Sequence, residues 1–220
     1  RMALVIRKDE TGKPGFVPTG IVVSAMAVMI AMVMIVITGS VTAEGLDIQE
    51  FISQFLGQMY SEMGVPMTPE LQNIIDMFQT YFPAIVAVSW LLMLFANAAI
   101  AQAILVRSGR NLRPSPDLAS MALPGWSLAG FLVGFADGSL AYVARNVAVV
   151  LAVPFLMQGL ALVHGQAARW PQKRMILTVF YIVAVLSTWS FIAITGLGIV
   201  EHLIRLRGKQ PMTRSNEEDR

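Results

Sequence analysis

Few of the 220 residues have side chains that can do chemistry. Cysteine is absent, which excludes thiol nucleophiles, thiolate metal ligands and disulfides. The two histidines, His164 and His202, lie far apart in the chain. A metal site built on them would need a carboxylate from elsewhere, so no metal and no cofactor is expected. There is no H-E-x-x-H, no G-x-S-x-G, no P-loop and no G-x-G-x-x-G, and no catalytic residue is assigned. What remains is a scatter of polar groups within or at the ends of apolar stretches: Asn97, Gln102, Asp137, Arg145, Asn146, Gln158 and His164. Such groups are expensive in hydrocarbon and mark pathways or helix contacts. For Asn97, Asn146 and Gln158 hydrogen bonding between helices, worth on the order of 1 kcal/mol, is the first reading. Contact with a substrate is the second, and it makes these three the candidate substrate-binding residues. Asp137 and Arg145 are two helical turns apart, too far to pair along one straight helix, and both fit headgroup water.

The elements that must carry these groups follow from where charge is missing. Hydrophobic residues make up 55% of the chain and charged residues 14%, with a mean hydropathy of +0.63. Lys, Arg, Asp and Glu are absent from Pro14 to Ala43, Met77 to Val106, Leu118 to Ala136, Asn146 to Ala168 and Met175 to Val200. A helix crosses the roughly 30 Å hydrocarbon core with about 20 apolar residues. The chain therefore reads as an all-α, polytopic transmembrane helix bundle with about five spans. Residues 1–19 form an N-terminal segment, 20–207 the bundle with an amphipathic loop at 44–81, and 208–220 a polar tail. A net charge of +2 arises from short basic loops and does not point to nucleic acid. The lipid bilayer is the first partner expected.

Within the bundle, the first span from Gly20 to Gly39 has Ser24, Ala27 and Ala31 as a small-residue stripe, and its methionines read as packing. In the loop, Ile48, Phe51, Ile52, Phe55, Leu56 and Met59 follow the period of an amphipathic helix. Leu71, Ile74, Ile75 and Phe78 repeat the pattern after Thr68-Pro69-Glu70, which supplies an N-cap, a first-turn proline and a first-turn acid. Two short helices are predicted. The segment holds six acids and no Lys or Arg, so it is expected to lie over the bundle as a cap, with a loop resting on the membrane surface as the alternative. The second span runs from about Phe82 to Val106 and the third from Ser120 to about Tyr142. Gly130, Gly134 and Gly138, at i, i+4 and i+8 of that third span, predict a close helix–helix packing face. A fourth span covers Ala144 to His164, with Pro154 inside. The last starts at Met175 and meets Gly196-Leu197-Gly198.

Basic loops stay in the cytoplasm. Lys plus Arg are abundant in residues 1–13, absent from 44–76, and present again in 107–117 and 169–174, which alternates as five spans with a cytoplasmic N-side require. The tail breaks the alternation with Arg205, Arg207, Lys209, Arg214 and Arg220. Three explanations stay open: the chain folds back at Gly196–Gly198 as a re-entrant element, another segment does not cross, or the tail violates the rule.

The succession Asn97-Ala-Ala-Ile-Ala-Gln102, Arg113-Pro114-Ser-Pro116, Leu123-Pro124-Gly-Trp126, Arg145-Asn146, Gly159-Leu-Ala-Leu-Val-His164, Tyr181, Gly196-Leu-Gly198-Ile-Val-Glu201 and Arg205 resembles the YybS-like family of bacterial membrane proteins, a domain-of-unknown-function family. The likeness covers about residues 80–207. It implies a multi-pass protein of the bacterial inner membrane, similar in outline to the substrate-capturing subunits of energy-coupling-factor vitamin transporters. It also implies further spans upstream, which fits a chain that starts at Arg1 and reads as N-terminally truncated. The family lends no catalytic residue, and its frequent Asp before the last basic stretch is Glu201 here.

Three functional readings result. The first is a non-enzymatic, transport-related or small-molecule-binding membrane subunit, whose partner is a small-molecule substrate or another membrane subunit. The second is a membrane scaffold or assembly factor that binds a protein through the acidic loop or the basic tail. A lipid-modifying enzyme is the third, and it would need Asp137, Arg145 and His164 to meet in one dry pocket.

Overall fold

The computed structural model describes residues 5–8, 14–110, 121–136 and 138–208, and these are mostly helical. A short antiparallel hairpin of β1 (Val5–Lys8) and β2 (Pro14–Phe16) comes first. Seven α-helices follow among the described residues: α1 (Thr19–Ala43), α2 (Ile48–Glu62), α3 (Pro69–Arg107), α4 (Trp126–Leu132), α5 (Ala141–Ala167), α6 (Lys173–Leu186) and α7 (Thr188–Gly208). Among the described residues four are long and apolar enough to cross a membrane: α1, α3, α5 and α7 over Trp189–Arg207. The protein is an all-α membrane bundle with four such helices where the charge-free windows suggested about five.

The chain divides into two compact units. One comprises Arg1–Val22, Pro116–Trp126 and Pro154–Arg220, and the other Val23–Ser115 and Ser127–Val153. In the second unit, Ser24, Ala27 and Ala31 of α1 are all buried, as their spacing predicted, and Ser24 Oγ lies 3.2 Å from Ser127 Oγ of α4. Also in this unit, α2 packs along α3. In the first unit, α6 packs on α7, and Gly20 lies so close to the Ala122 carbonyl that a side chain there would overlap it.

Three expectations need correction. The second amphipathic segment is not a separate helix. Thr68 caps it by accepting a hydrogen bond from the Leu71 N–H, as predicted, but the helix then continues through Pro83 to Arg107. A proline in a helix interior normally breaks it, because it has no N–H to donate and crowds the carbonyl four residues back; here the Asn146 side chain compensates. The third span is not one helix either. Its seven-residue α4 gives way to a 3-10 turn over Val133–Phe135, extended backbone at Ala136 and left-handed backbone at Gly138, φ +85°. Glycines each cost helix roughly 1 kcal/mol relative to Ala, and Gly138 adopts the backbone sign that other residues avoid. Finally, the last apolar window breaks at Ser187, φ −123° and ψ 113°, not at Gly196–Gly198, which lie inside α7. The Ser187 N–H makes the last helical bond of α6, to the Val183 carbonyl, and the Ser190 hydroxyl donates a second, longer bond to the same carbonyl across the break.

Candidate functional site

Asn146 occupies the first turns of α5 and is 1% exposed. Its Nδ2 donates to the Thr80 carbonyl at 2.9 Å, and its Oδ1 accepts from the Ala84 N–H at 3.0 Å. Thr80 and Ala84 are four apart in α3 and bracket Pro83, so they are the two groups that bond one another in an uninterrupted helix. One carboxamide thus serves both ends of the rung next to the proline. The second Nδ2 proton goes to the Tyr142 carbonyl of its own helix at 2.9 Å. Both donors and one acceptor lone pair of Asn146 are therefore engaged by backbone. Freed backbone groups at membrane depth have no water to turn to, and a neighbouring side chain is one of the few available partners.

Gln158 lies further along α5 and is 2% exposed, yet neither Nε2 nor Oε1 has a hydrogen-bond partner. Beside it, α5 and α7 cross backbone to backbone. A Cβ on Gly159 would overlap the Ile194 carbonyl, and one on Gly198 would overlap the Phe155 carbonyl. His202 of α7 is 1% exposed and sets its ring edge-on to Phe155, centroids 5.6 Å apart at 74°. Phe155 and Gln158 are three apart, hence on neighbouring positions of one helix face. Phe155, Gln158, Gly159, Ile194, Gly198 and His202 carry no carboxylate, Lys or Arg, and Glu201 with its partner Arg205 follows on α7.

The other histidine has a different role. His164 Nδ1 is 2.8 Å from the Leu160 carbonyl, which can only accept, so that nitrogen carries a proton. In the neutral ring Nε2 is then free to accept from the Tyr181 hydroxyl at 3.3 Å, which links α5 to α6. Glu201 and Arg205 form an ion pair within α7, Oε1 to Nε 2.6 Å, so the glutamate does make a charged contact. Among the described residues no group of three or more His, Asp and Glu is placed to hold a metal ion.

Of the three candidate binding residues, Asn146 and Gln158 are buried and Asn97 is exposed on α3. Gln102 is half-buried, Arg145 is exposed, and Asp137 lies outside the described residues. The predicted packing glycines divide similarly. Gly134 meets Ala148 of α5 so closely that a Cβ would overlap it, and Gly130 would place a Cβ 3.3 Å from Leu151. Gly138 has nothing within 4 Å and serves the turn instead. Sequence reading missed the tighter contact made by Gly159 and Gly198. The small residues of Gly159-x-Ala161 and Gly196-x-Gly198 were the available signal, but they do not follow the four-residue spacing that marks a packing stripe.

A family model described as predicted membrane protein (DUF2232) matches residues 4–201. The chain belongs to the DUF2232 family. Its match includes Asn146, Gln158 and the two crossing glycines, and it reaches well upstream of the stretch in which a family likeness was legible. No curated protein and no solved structure matches this DUF2232 chain.

Proposed function

We propose that this DUF2232 protein is a non-enzymatic, transport-related subunit of a bacterial inner membrane that binds a small molecule at Gln158. The observation carrying the reading is a carboxamide 2% exposed with both polar atoms unpartnered. Leaving a buried amide unsatisfied costs about 1–3 kcal/mol, and buried polar groups are completed by protein, water or ligand as a rule. Gln158 offers two donors and an acceptor one helical turn from Phe155, whose ring meets His202. A neutral ligand with its own donor and acceptor, flat enough to lie against rings, complements those groups. Asn146 and Asn97 take no part in this reading, the first because its amide already bonds backbone and the second because it is exposed.

The test compares wild type with Gln158→Leu, both purified in mild detergent and examined by native mass spectrometry and thermal unfolding. Wild type is expected to carry a small-molecule adduct that the variant lacks, while the variant unfolds at the same temperature or higher. An adduct-free wild type, or an adduct unchanged in Q158L, sinks the proposal.

A further inference from the structure

Helix α2 uses its apolar face only in part. Ile52 is buried where α2 packs along α3, but Phe51 and Phe55 are 65% and 56% exposed. Their rings stack on one another, centroids 6.4 Å apart at 15°. An aromatic pair of this size left bare marks a contact surface.

Where the pair sits narrows what covers it. The helix begins five residues after the last residue of α1, a membrane-length helix. Ile48, its first residue, lines one cleft of about 290 Å³ with Met34 and Thr38 of α1 and Phe82, Pro83 and Trp90 of α3. Thr42, Asp47 and Gln49 share a second cleft with Tyr142, the second residue of α5. The start of α2 is thus pinned at the level where α1 ends and α5 begins, the edge of the apolar segments. Phe51 and Phe55 lie about 4.5 and 10 Å of helical rise beyond Ile48. The headgroup layer is roughly 5–8 Å deep on each side of the core, so Phe51 falls inside it even if α2 stands upright, and any inclination brings in Phe55.

Charge selects the lipid. Glu44, Asp47, Glu50, Glu62, Glu70 and Asp76 are accompanied by no Lys or Arg anywhere from Glu44 to Val106. Anionic headgroups repel such a segment, whereas neutral ones do not. We propose that the Phe51–Phe55 face of α2 is an interfacial anchor that inserts into the headgroup boundary of a zwitterionic bilayer.

Because the chain has no Cys, single nitroxide labels can be placed cleanly. Labels at Phe51→Cys, Phe55→Cys and, as reference, the exposed Ser61→Cys are compared in phosphatidylcholine vesicles by collision with oxygen and with a water-soluble nickel chelate. The oxygen-to-nickel ratio is expected to be several-fold higher at positions 51 and 55 than at 61. It should fall as phosphatidylglycerol replaces phosphatidylcholine, and salt should reverse that fall. A label at Gln58, on the same face, is expected to lose its high ratio when Phe51→Ser and Phe55→Ser are introduced together; both sites are exposed, so the packed core is untouched. Ratios at 51 and 55 equal to that at 61 overturn the proposal, as does protection from both colliders, which would mean a protein covers the face.

Discussion

At the scale of single residues, the most informative position is Asn146. Asparagine is a poor helix former and an expensive group to bury, so its place on a membrane helix needs a reason. The reason lies inside another helix, where Pro83 removes a donor from α3 and Asn146 supports both sides of the adjacent rung. Asn146→Leu should therefore destabilise the protein by about 2 kcal/mol, within the range for a buried hydrogen bond broken on one side, seen as a lower unfolding temperature in detergent. The defect should shrink in a Pro83→Ala background, because α3 can then close its own ladder. Equal losses in the two backgrounds would show that Asn146 does not act through the proline. That Asn146 mattered was readable from its polarity in an apolar window. Its actual use was not, because the partner backbone lies more than sixty residues away.

Helices as elements reveal what glycine is for in this chain. Gly196 and Gly198 are two residues apart on α7, and sequence alone gives them the same helix-breaking reading. Their surroundings differ: nothing lies within 4 Å of a Cβ at Gly196, whereas one at Gly198 would overlap the Phe155 carbonyl. Gly196→Ala is accordingly expected to be neutral or to stabilise by up to about 1 kcal/mol through helix propensity. Gly198→Ala should cost about 1–3 kcal/mol by overpacking, as should Gly159→Ala. Thermal or denaturant unfolding of the three variants in one detergent decides it, and similar behaviour of Gly196→Ala and Gly198→Ala would refute the backbone crossing. The same logic explains why Gly134 packs as its spacing promised while Gly138, one step further along that stripe, turns the chain.

For the whole molecule, the end at which α5 begins decides the charge arithmetic. With five crossings and a cytoplasmic N-side, the tail with its five Lys and Arg residues lies outside. In the unit that holds α1, α3 and the first half of α5, Tyr142 shares a cleft with Thr42 and Asp47 and Asn146 bonds Thr80 and Ala84, so α5 begins at the end where α1 stops and α3 starts, and a fifth crossing lies between Arg107 and Ala141. Arg169, Lys173 and Arg174 then share the N-terminal side, and the basic tail stands as the exception to the rule. The expected topology puts Ser61→Cys and Ser215→Cys within reach of a membrane-impermeant thiol reagent on intact cells, and Ser108→Cys and Gln172→Cys within reach only after permeabilisation. Labelling of Gln172→Cys on intact cells would reduce the chain to four crossings.

Much of this architecture was legible along the chain itself. Long charge-free windows name the solvent, since nothing but hydrocarbon accommodates them in such number, and the Ser24-Ala27-Ala31 stripe and the Thr68 cap depend on neighbours within one or two turns. Local chemistry can be read from a sequence because the interacting groups are close in it. The continuation of α3 through Pro83, the break at Ser187 and the contrast between Gly196 and Gly198 depend on which backbone from elsewhere comes within hydrogen-bonding or van der Waals distance. That proximity exists only after the helices have packed, which is why identical residue types two positions apart ended with opposite roles.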